Sequence, residues 1–128
     1  MKYILIKLII SFIVFNIFSC ESKDKKYQNN IDLSVDRGEK LFNDMACNAC
    51  HTINGSLRLG PSLQSQFGKE ILHTDGTISI VDEKYIEESI NFPLKHIVEG
   101  YTPIMPSYAP ILNEKDIQDI ISYIKTLN

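Results

Sequence analysis

Two cysteines and a histidine lie close together in the run Cys47-Asn48-Ala49-Cys50-His51. The pattern Cys-x-x-Cys-His is typical of the attachment site of a c-type haem. Thiols with this spacing lie on one turn of the chain, so each can add to a vinyl group on the same edge of one porphyrin. The histidine that follows is then held beneath the iron as its proximal ligand. The motif therefore predicts one covalent haem c, bound through Cys47 and Cys50, with His51 as an axial ligand.

A low-spin electron carrier needs a second axial ligand that stays on the iron. The candidates are Met1, Met45, Met105, His73 and His96. Met1 belongs to the N-terminal segment described below, and Met45 is too close to the motif to reach the opposite haem face. Pro103 and Pro106 restrict the chain around Met105, which suits a side chain that must point at iron without rearrangement. We expect Met105 to be the ligand and the two histidines to lie at the surface; the alternative for Met105 is a core position.

The N-terminus has the layout of a secretory signal peptide over residues 1–19. Lys2 and Lys7 precede an apolar run, and the run ends at Cys20. The last residues resemble a bacterial lipobox, in which Cys20 is acylated and becomes the mature N-terminus, although Phe18 replaces the usual small residue. The alternatives are an ordinary signal peptide that leaves a free thiol, and an uncleaved anchor helix. All three place the rest of the chain on the periplasmic side of a bacterial membrane.

The remainder of the chain divides by composition into two parts. Residues 20–33 are mostly polar and charged, which predicts a tether from the lipid anchor, with an extended reach of about 40 Å for twelve residues. Residues 34–128 are long enough for one small domain, which we expect to be monomeric. The formal net charge of −3 argues against a nucleic-acid partner, because such proteins present basic surfaces.

The pattern of apolar residues predicts a mainly helical domain with one small hairpin. Ser34 is the predicted N-cap of a helix over residues 35–46. Residues 57–67 are predicted to form a loop, and Asp75-Gly76 predicts a β-hairpin within residues 70–81. Asp82 is the predicted cap of a helix that ends near Asn91, and a shorter helix is predicted over residues 93–99.

The last helix has the clearest pattern. Asn113 is its predicted cap, with Asp116 in a capping-box position. Its apolar face consists of Ile117, Ile120, Ile121 and Ile124, which recur at helical spacing. We expect this face to pack in the core and to meet the first helix at Gly38, with Phe42 and Tyr123 beside the contact.

Several short motifs lie between the haem-binding motif and the last helix. They are Gly60-Pro61-Ser62-Leu63, Phe67-Gly68, Asp75-Gly76, Tyr85-Ile86, Gly100-Tyr101 and Met105-Pro106-Ser107-Tyr108. With these motifs, residues 34–128 resemble the class I cytochromes c, and more narrowly the cytochrome c domain fused to the C-terminus of subunit II in caa-type haem–copper oxidases. The resemblance implies an all-α class I cytochrome c fold, axial ligation by His51 and Met105, contact between the terminal helices, and electron transfer near a terminal oxidase.

The resemblance also gives a role to Pro61. Its carbonyl can accept a hydrogen bond from Nδ1–H of His51, which leaves Nε2 for the iron. The alternative is a proline that only shapes a turn. The chain departs from subunit II in one respect, since a dinuclear copper site needs two further cysteines and Cys20 is the only other one. The chain therefore looks like the cytochrome module separated from that subunit and given a lipid anchor.

These expectations combine into a membrane-tethered, one-electron carrier of a respiratory chain that is not an enzyme. Its expected redox partners are a haem–copper oxidase or a quinol-oxidising complex. The alternatives are a haem-based gas or ligand sensor, a fixed cytochrome subunit of a larger oxidase or quinol-oxidising complex, and a thiol–disulfide oxidoreductase using Cys47 and Cys50. A peroxidase fits poorly, because both axial positions of a single haem are expected to be filled.

Overall fold

A computed structural model describes residues 21–128 of the chain. The predicted signal peptide and the predicted lipidation site Cys20 lie outside the described residues. The elements are α1 (Glu21–Asp44), α2 (Cys47–Cys50), β1 (Glu70–Leu72), β2 (Ile78–Ile80), α3 (Glu83–Asn91) and α4 (Glu114–Lys125). Leu33–Asn128 form one compact unit. Its mainly helical composition with a single two-stranded antiparallel sheet confirms the predicted fold class. Within the described residues, no helix combines the length and apolar character required to cross a bilayer.

The first helix begins earlier than predicted. It starts at Glu21 rather than near Val35, so the prediction of Ser34 as its N-cap is wrong. The preceding residues contain Lys, Glu and Gln but no Gly or Pro, and such residues extend a helix readily. Residues 27–33 are all exposed, as expected for a segment that adds nothing to the core. As a helix, twelve residues span about 18 Å, less than half the reach expected for an extended tether.

The contact between α1 and α4 is confirmed, and it depends on a glycine. A Cβ atom on Gly38 would lie 1.9 Å from the carbonyl oxygen of Asp119 and 2.9 Å from Cβ of Tyr123. Only glycine lets the two backbones approach so closely. Phe42 packs beside this point, with its ring centroid 5.5 Å from that of Tyr123.

A buried carboxylate lies at the same helix contact. Asp119 is 2% exposed. Its oxygens accept hydrogen bonds from Ser34 Oγ at 2.8 Å and from Lys115 Nζ at 3.2 Å, and they lie 2.7 Å from the Arg37 guanidinium. Burying an unpaired charge would be costly, so these donors make the burial possible. The sequence pattern does not indicate this cluster, because its four members lie at ordinary positions within α1 and α4.

The core forms where α3 packs on α4. The isoleucine face of α4 is at most 5% exposed, and Ile86 and Ile90 of α3 pack against it. Both predicted caps are present. The Asp82 side chain accepts from Tyr85 N, and Asn113 forms a capping box with Asp116.

The hairpin is confirmed, but the short helix predicted over residues 93–99 is wrong. Gly76 turns the hairpin with φ at +82°. The segment beyond α3 runs as turns and bends beside β1. Thr74 N donates to Ile97 O at 2.8 Å, and Glu99 N donates to Leu72 O at 2.9 Å. These backbone bonds to the hairpin replace the internal bonds that a helix would have made. The predicted loop over residues 57–67 is confirmed.

The prediction that His73 lies at the surface is also wrong. His73 is 1% exposed, and its Nε2 lies 3.0 Å from Ser79 Oγ across the hairpin. The His96 side chain is 24% exposed and pairs with Glu88 at 3.4 Å. The two imidazole centroids are 5.1 Å apart. Both histidines therefore pack beside the hairpin. Composition does not reveal this, because the two residues are far apart in the sequence.

Replacing Gly38 with alanine tests the helix contact. Ala favours an isolated helix over Gly by about 1 kcal/mol. Here the added methyl overlaps a backbone carbonyl, so we expect Gly38→Ala to lower the free energy of unfolding by about 3 kcal/mol or more. Chemical denaturation of the holoprotein measures this change. Asp36→Ala, at an exposed position of the same helix, is the control and should change stability by less than about 0.5 kcal/mol. Equal stability of the two variants would contradict the contact.

Candidate functional site

The cysteine–histidine motif forms a single helical turn between α1 and the following loop. Ala46 adopts a left-handed conformation with φ at 56°, which ends α1 and starts α2 in a new direction. His51 N donates to Cys47 O at 2.9 Å and closes the turn. Both cysteine side chains are half-buried and line one cavity together with His51. The predicted placement of the two thiols on one turn is therefore confirmed.

The thiol chemistry does not favour a thiol–disulfide oxidoreductase. Burial raises the pKa of the Cys47 thiol above its ordinary value. Reactive cysteines of oxidoreductases have a lowered pKa, because the thiolate is the nucleophile. A raised pKa gives the Cys47 thiol no such activation.

The His51 imidazole is fixed from two sides. Its Nδ1 lies 2.8 Å from the Pro61 carbonyl oxygen, which is the contact predicted from the sequence. Because a carbonyl can only accept, Nδ1 carries the proton and Nε2 keeps its lone pair. The backbone of Gly60 packs flat against the ring, since a Cβ there would lie 2.7 Å from His51 Cε1. Burial lowers the pKa of this imidazole, so the neutral, metal-binding form is favoured.

A large, mostly apolar cavity lies beside the motif. It holds about 1290 Å³ of empty space, part of it open to solvent, and nearly every element of Leu33–Asn128 contributes to its wall. Apolar lining residues are Phe42, Leu63, Val81, Ile86, Ile90, Ile120 and Ile124. Such a wall suits a flat apolar macrocycle. The wall includes two thiols, the His51 imidazole and a thioether, which are groups that can attach haem covalently and ligate its iron.

Met105 lines the same cavity as His51. It is half-buried and packs against the core. The other candidate ligands differ in position. Met45 packs against the core but does not line the cavity. His73 does not line the cavity either, whereas His96 does. Of the methionines in the described residues, Met105 is therefore the one that the fold brings to the cavity.

Three residues of the site were not singled out by the sequence analysis. Gly60 supports the histidine ring, as described above. Ser107 Oγ donates to Asn91 O at 2.6 Å, and the Tyr108 hydroxyl donates to Met45 O at 3.0 Å. Ser107 and Tyr108 belong to the motif Met105-Pro106-Ser107-Tyr108 quoted above. Their hydrogen-bond partners lie on distant segments, so the sequence does not indicate these contacts.

Comparison with known proteins agrees with this geometry. The family model described as cytochrome c matches residues 35–128. The chain belongs to the cytochrome c family. Among solved structures, it is similar to cytochrome cH from Methylobacterium extorquens, with 26% sequence identity and a TM-score of 0.54, over 72% of this chain and 97% of that chain. No curated protein matches the chain.

Family and fold together identify a class I, monohaem c-type cytochrome. Its cofactor is one covalently bound haem c, and Cys47 and Cys50 have the spacing for that attachment. Haem supplies one-electron chemistry at its iron. The polypeptide orients the ring, restricts water and presents donor atoms. Cytochromes of this family are typically electron carriers rather than enzymes.

Removing both thiols should abolish haem attachment. We expect the Cys47→Ala, Cys50→Ala double variant, made with a haem-attachment system, to lack the haem mass in intact mass spectrometry. It should also lose the cooperative thermal transition, because the core of this small domain surrounds a cavity that the cofactor fills. Asn48→Ala alters an exposed residue of the same turn, and this control should retain the haem mass and the cooperative thermal transition. A native-like melt of the double variant without haem would contradict this account.

Proposed function

We propose that this cytochrome carries one electron at a time, with His51 and Met105 as the two axial ligands of its haem iron. One observation carries the proposal: an oriented imidazole, a thioether and the two motif thiols all line a single apolar cavity. The Pro61 carbonyl is proposed to fix the ligating tautomer of His51. His/Met ligation raises the reduction potential relative to a bis-histidine site.

Support for a closed iron site comes from the two segments that carry the ligands. His51 is fixed by Pro61 and Gly60, and the chain after Met105 is bonded to α3 and to the end of α1. A gas sensor needs a free or easily displaced sixth position. Two firmly held ligands leave the iron no open position, so the protein passes electrons through the haem edge instead.

Carbon monoxide binding tests the role of Met105. The reduced wild-type protein should not bind carbon monoxide readily, whereas Met105→Ala should bind it at once, because the substitution opens the sixth position. Visible absorption spectroscopy records the change. Met45→Leu removes a thioether that is not part of the cavity wall, and this control should behave as wild type. Ready binding by the wild type would favour the sensor hypothesis.

We propose further that the protein works at a membrane, with Cys20 as a lipidated N-terminus on the periplasmic side. The residues before position 20 have the signal-peptide layout. Cytochrome c domains are typically extracytoplasmic, which is compatible with this location. The exposed residues 27–33 make a spacer between the anchor and the haem domain, and as a helix this spacer would be shorter and stiffer than an extended tether.

The proposed electron acceptor is a haem–copper oxidase, with a quinol-oxidising complex as the donor. Support comes from the resemblance of residues around Met105 to the cytochrome domain of caa-type oxidases. Exposed apolar side chains at the opening of the cavity also support a docked redox partner. Leu59 and Ile104 line the cavity and are 60% and 54% exposed. Apolar side chains at the opening suit brief docking of a partner near the haem edge.

Membrane fractionation tests the anchor and the partner together. The full-length wild-type protein should remain with membranes after a high-salt wash, and after chemical cross-linking in native membranes it should co-purify with an oxidase or a quinol-oxidising complex. Cys20→Ala should be released or remain unprocessed, with unchanged haem content. Salt-resistant membrane binding by a processed Cys20→Ala protein would contradict lipidation. Co-purification with neither complex would contradict the proposed partners.

A further inference from the structure

The segment that carries Met105 is anchored mainly on one side. The nearest backbone bond to another element before Met105 is the one from Glu99 N to Leu72 O of the hairpin, at 2.9 Å. Between that bond and Met105 the backbone bonds are local: Tyr101 N donates to Val98 O at 3.1 Å, and Ile104 N donates to Thr102 O at 2.9 Å. Such bonds shape the loop without fastening it to another element. The closest attachment of Met105 to another element is therefore made by the residues that follow it.

Three bonds fasten those residues to the rest of the fold. Tyr108 N donates to Ile90 O at 3.0 Å, and Ser107 Oγ donates to Asn91 O at 2.6 Å. Both acceptors lie at the C-terminal end of α3, where helix carbonyls lack partners within the helix. The third bond, from the Tyr108 hydroxyl to Met45 O at 3.0 Å, reaches a different part of the chain.

The Met45 carbonyl is available because the helix ends there. In a continued helix it would accept from Ala49 N, but Ala49 N donates to Ala46 O instead, at 3.0 Å. The left-handed Ala46 causes this break. A half-buried carbonyl without a partner is unfavourable, so the Tyr108 hydroxyl both satisfies it and ties two segments together.

The acceptor lies two residues before Cys47, the first cysteine of the haem-binding motif. The Tyr108 hydroxyl thus connects the segment with Met105 directly to the turn with Cys47, Cys50 and His51. The Tyr108 ring also lines the cavity. No other side-chain hydrogen bond in the described residues joins these two segments.

We propose that Tyr108 is a positioning residue that holds Met105 on the haem iron. The hydroxyl bond to Met45 O keeps the loop in place relative to the haem-binding turn, so its loss raises the population in which Met105 is detached. The inference rests on the proposed axial role of Met105. A neutral hydrogen bond contributes enough free energy for its removal to change that population about five-fold.

Tyr108→Phe tests this role in the oxidised holoprotein, with imidazole as the probe. The variant keeps the aromatic ring and removes the hydroxyl alone. Because imidazole binds only where Met105 has left, the apparent Kd for imidazole should fall about five-fold. In the same titration, the near-infrared sulfur-to-iron charge-transfer band should disappear at about five-fold lower imidazole concentration than in the wild type. Tyr123→Phe removes the hydroxyl of a buried tyrosine that does not line the cavity, and this control should match the wild type in both measurements.

Three results would overturn the inference, and they are distinguishable. An unchanged imidazole Kd in Tyr108→Phe, with the band lost at the same imidazole concentration as in the wild type, would show that the hydroxyl does not position Met105. A lower unfolding midpoint with an unchanged Kd would show that Tyr108 only stabilises the fold. If the wild-type protein itself lacked the sulfur-to-iron band, the axial role of Met105 would fail, and the role of Tyr108 would fail with it.

Discussion

The hydrogen bond between His51 Nδ1 and the Pro61 carbonyl is the contact on which the chemistry of the site depends. A carbonyl cannot donate, so this 2.8 Å contact decides which ring nitrogen is free for a metal. It forms only because Gly60 lets the chain pass against the ring at a distance that a Cβ would block. The turn from Cys47 to Cys50 then sets where the oriented ring lies relative to the two thiols.

Packing around the site brings distant segments to the same cavity. Gly38 allows α1 to contact α4, and the Asp119 cluster holds the two helices together. The contact orients the end of α1, from which the haem-binding turn begins. Through Met45 O, the same helix end also receives the Tyr108 hydroxyl. The helix contact, the haem-binding turn and the Met105 segment are therefore mechanically connected, and these connections hold His51 and Met105 at one cavity.

Most features predicted correctly from the sequence depend on neighbouring residues. The contact of α1 with α4 at Gly38 is a long-range exception, which the apolar face of the last helix and the resemblance to class I cytochromes c indicated. The turn of Cys47 to Cys50, the caps at Asp82 and Asn113 and the hairpin at Asp75-Gly76 each follow from a few consecutive side chains. The incorrect predictions involve distant partners. Ser34 resembled an N-cap, but its hydroxyl bonds to Asp119, which is 85 positions away. A helix was predicted over residues 93–99, but their backbone groups pair with the hairpin instead. His73 looked like a surface residue because nothing local shows that Ser79 and Val98 enclose it.

We infer that one nitrogen from His51 and one sulfur from Met105 complete the iron coordination. X-ray absorption at the iron edge, recorded on the purified holoprotein, tests it directly because sulfur and nitrogen scatter differently. The account predicts six-coordinate iron with five nitrogen ligands, four from the porphyrin and one from His51, and a single sulfur ligand. Iron with no sulfur neighbour, whether five-coordinate or bound by two histidines, would contradict the account.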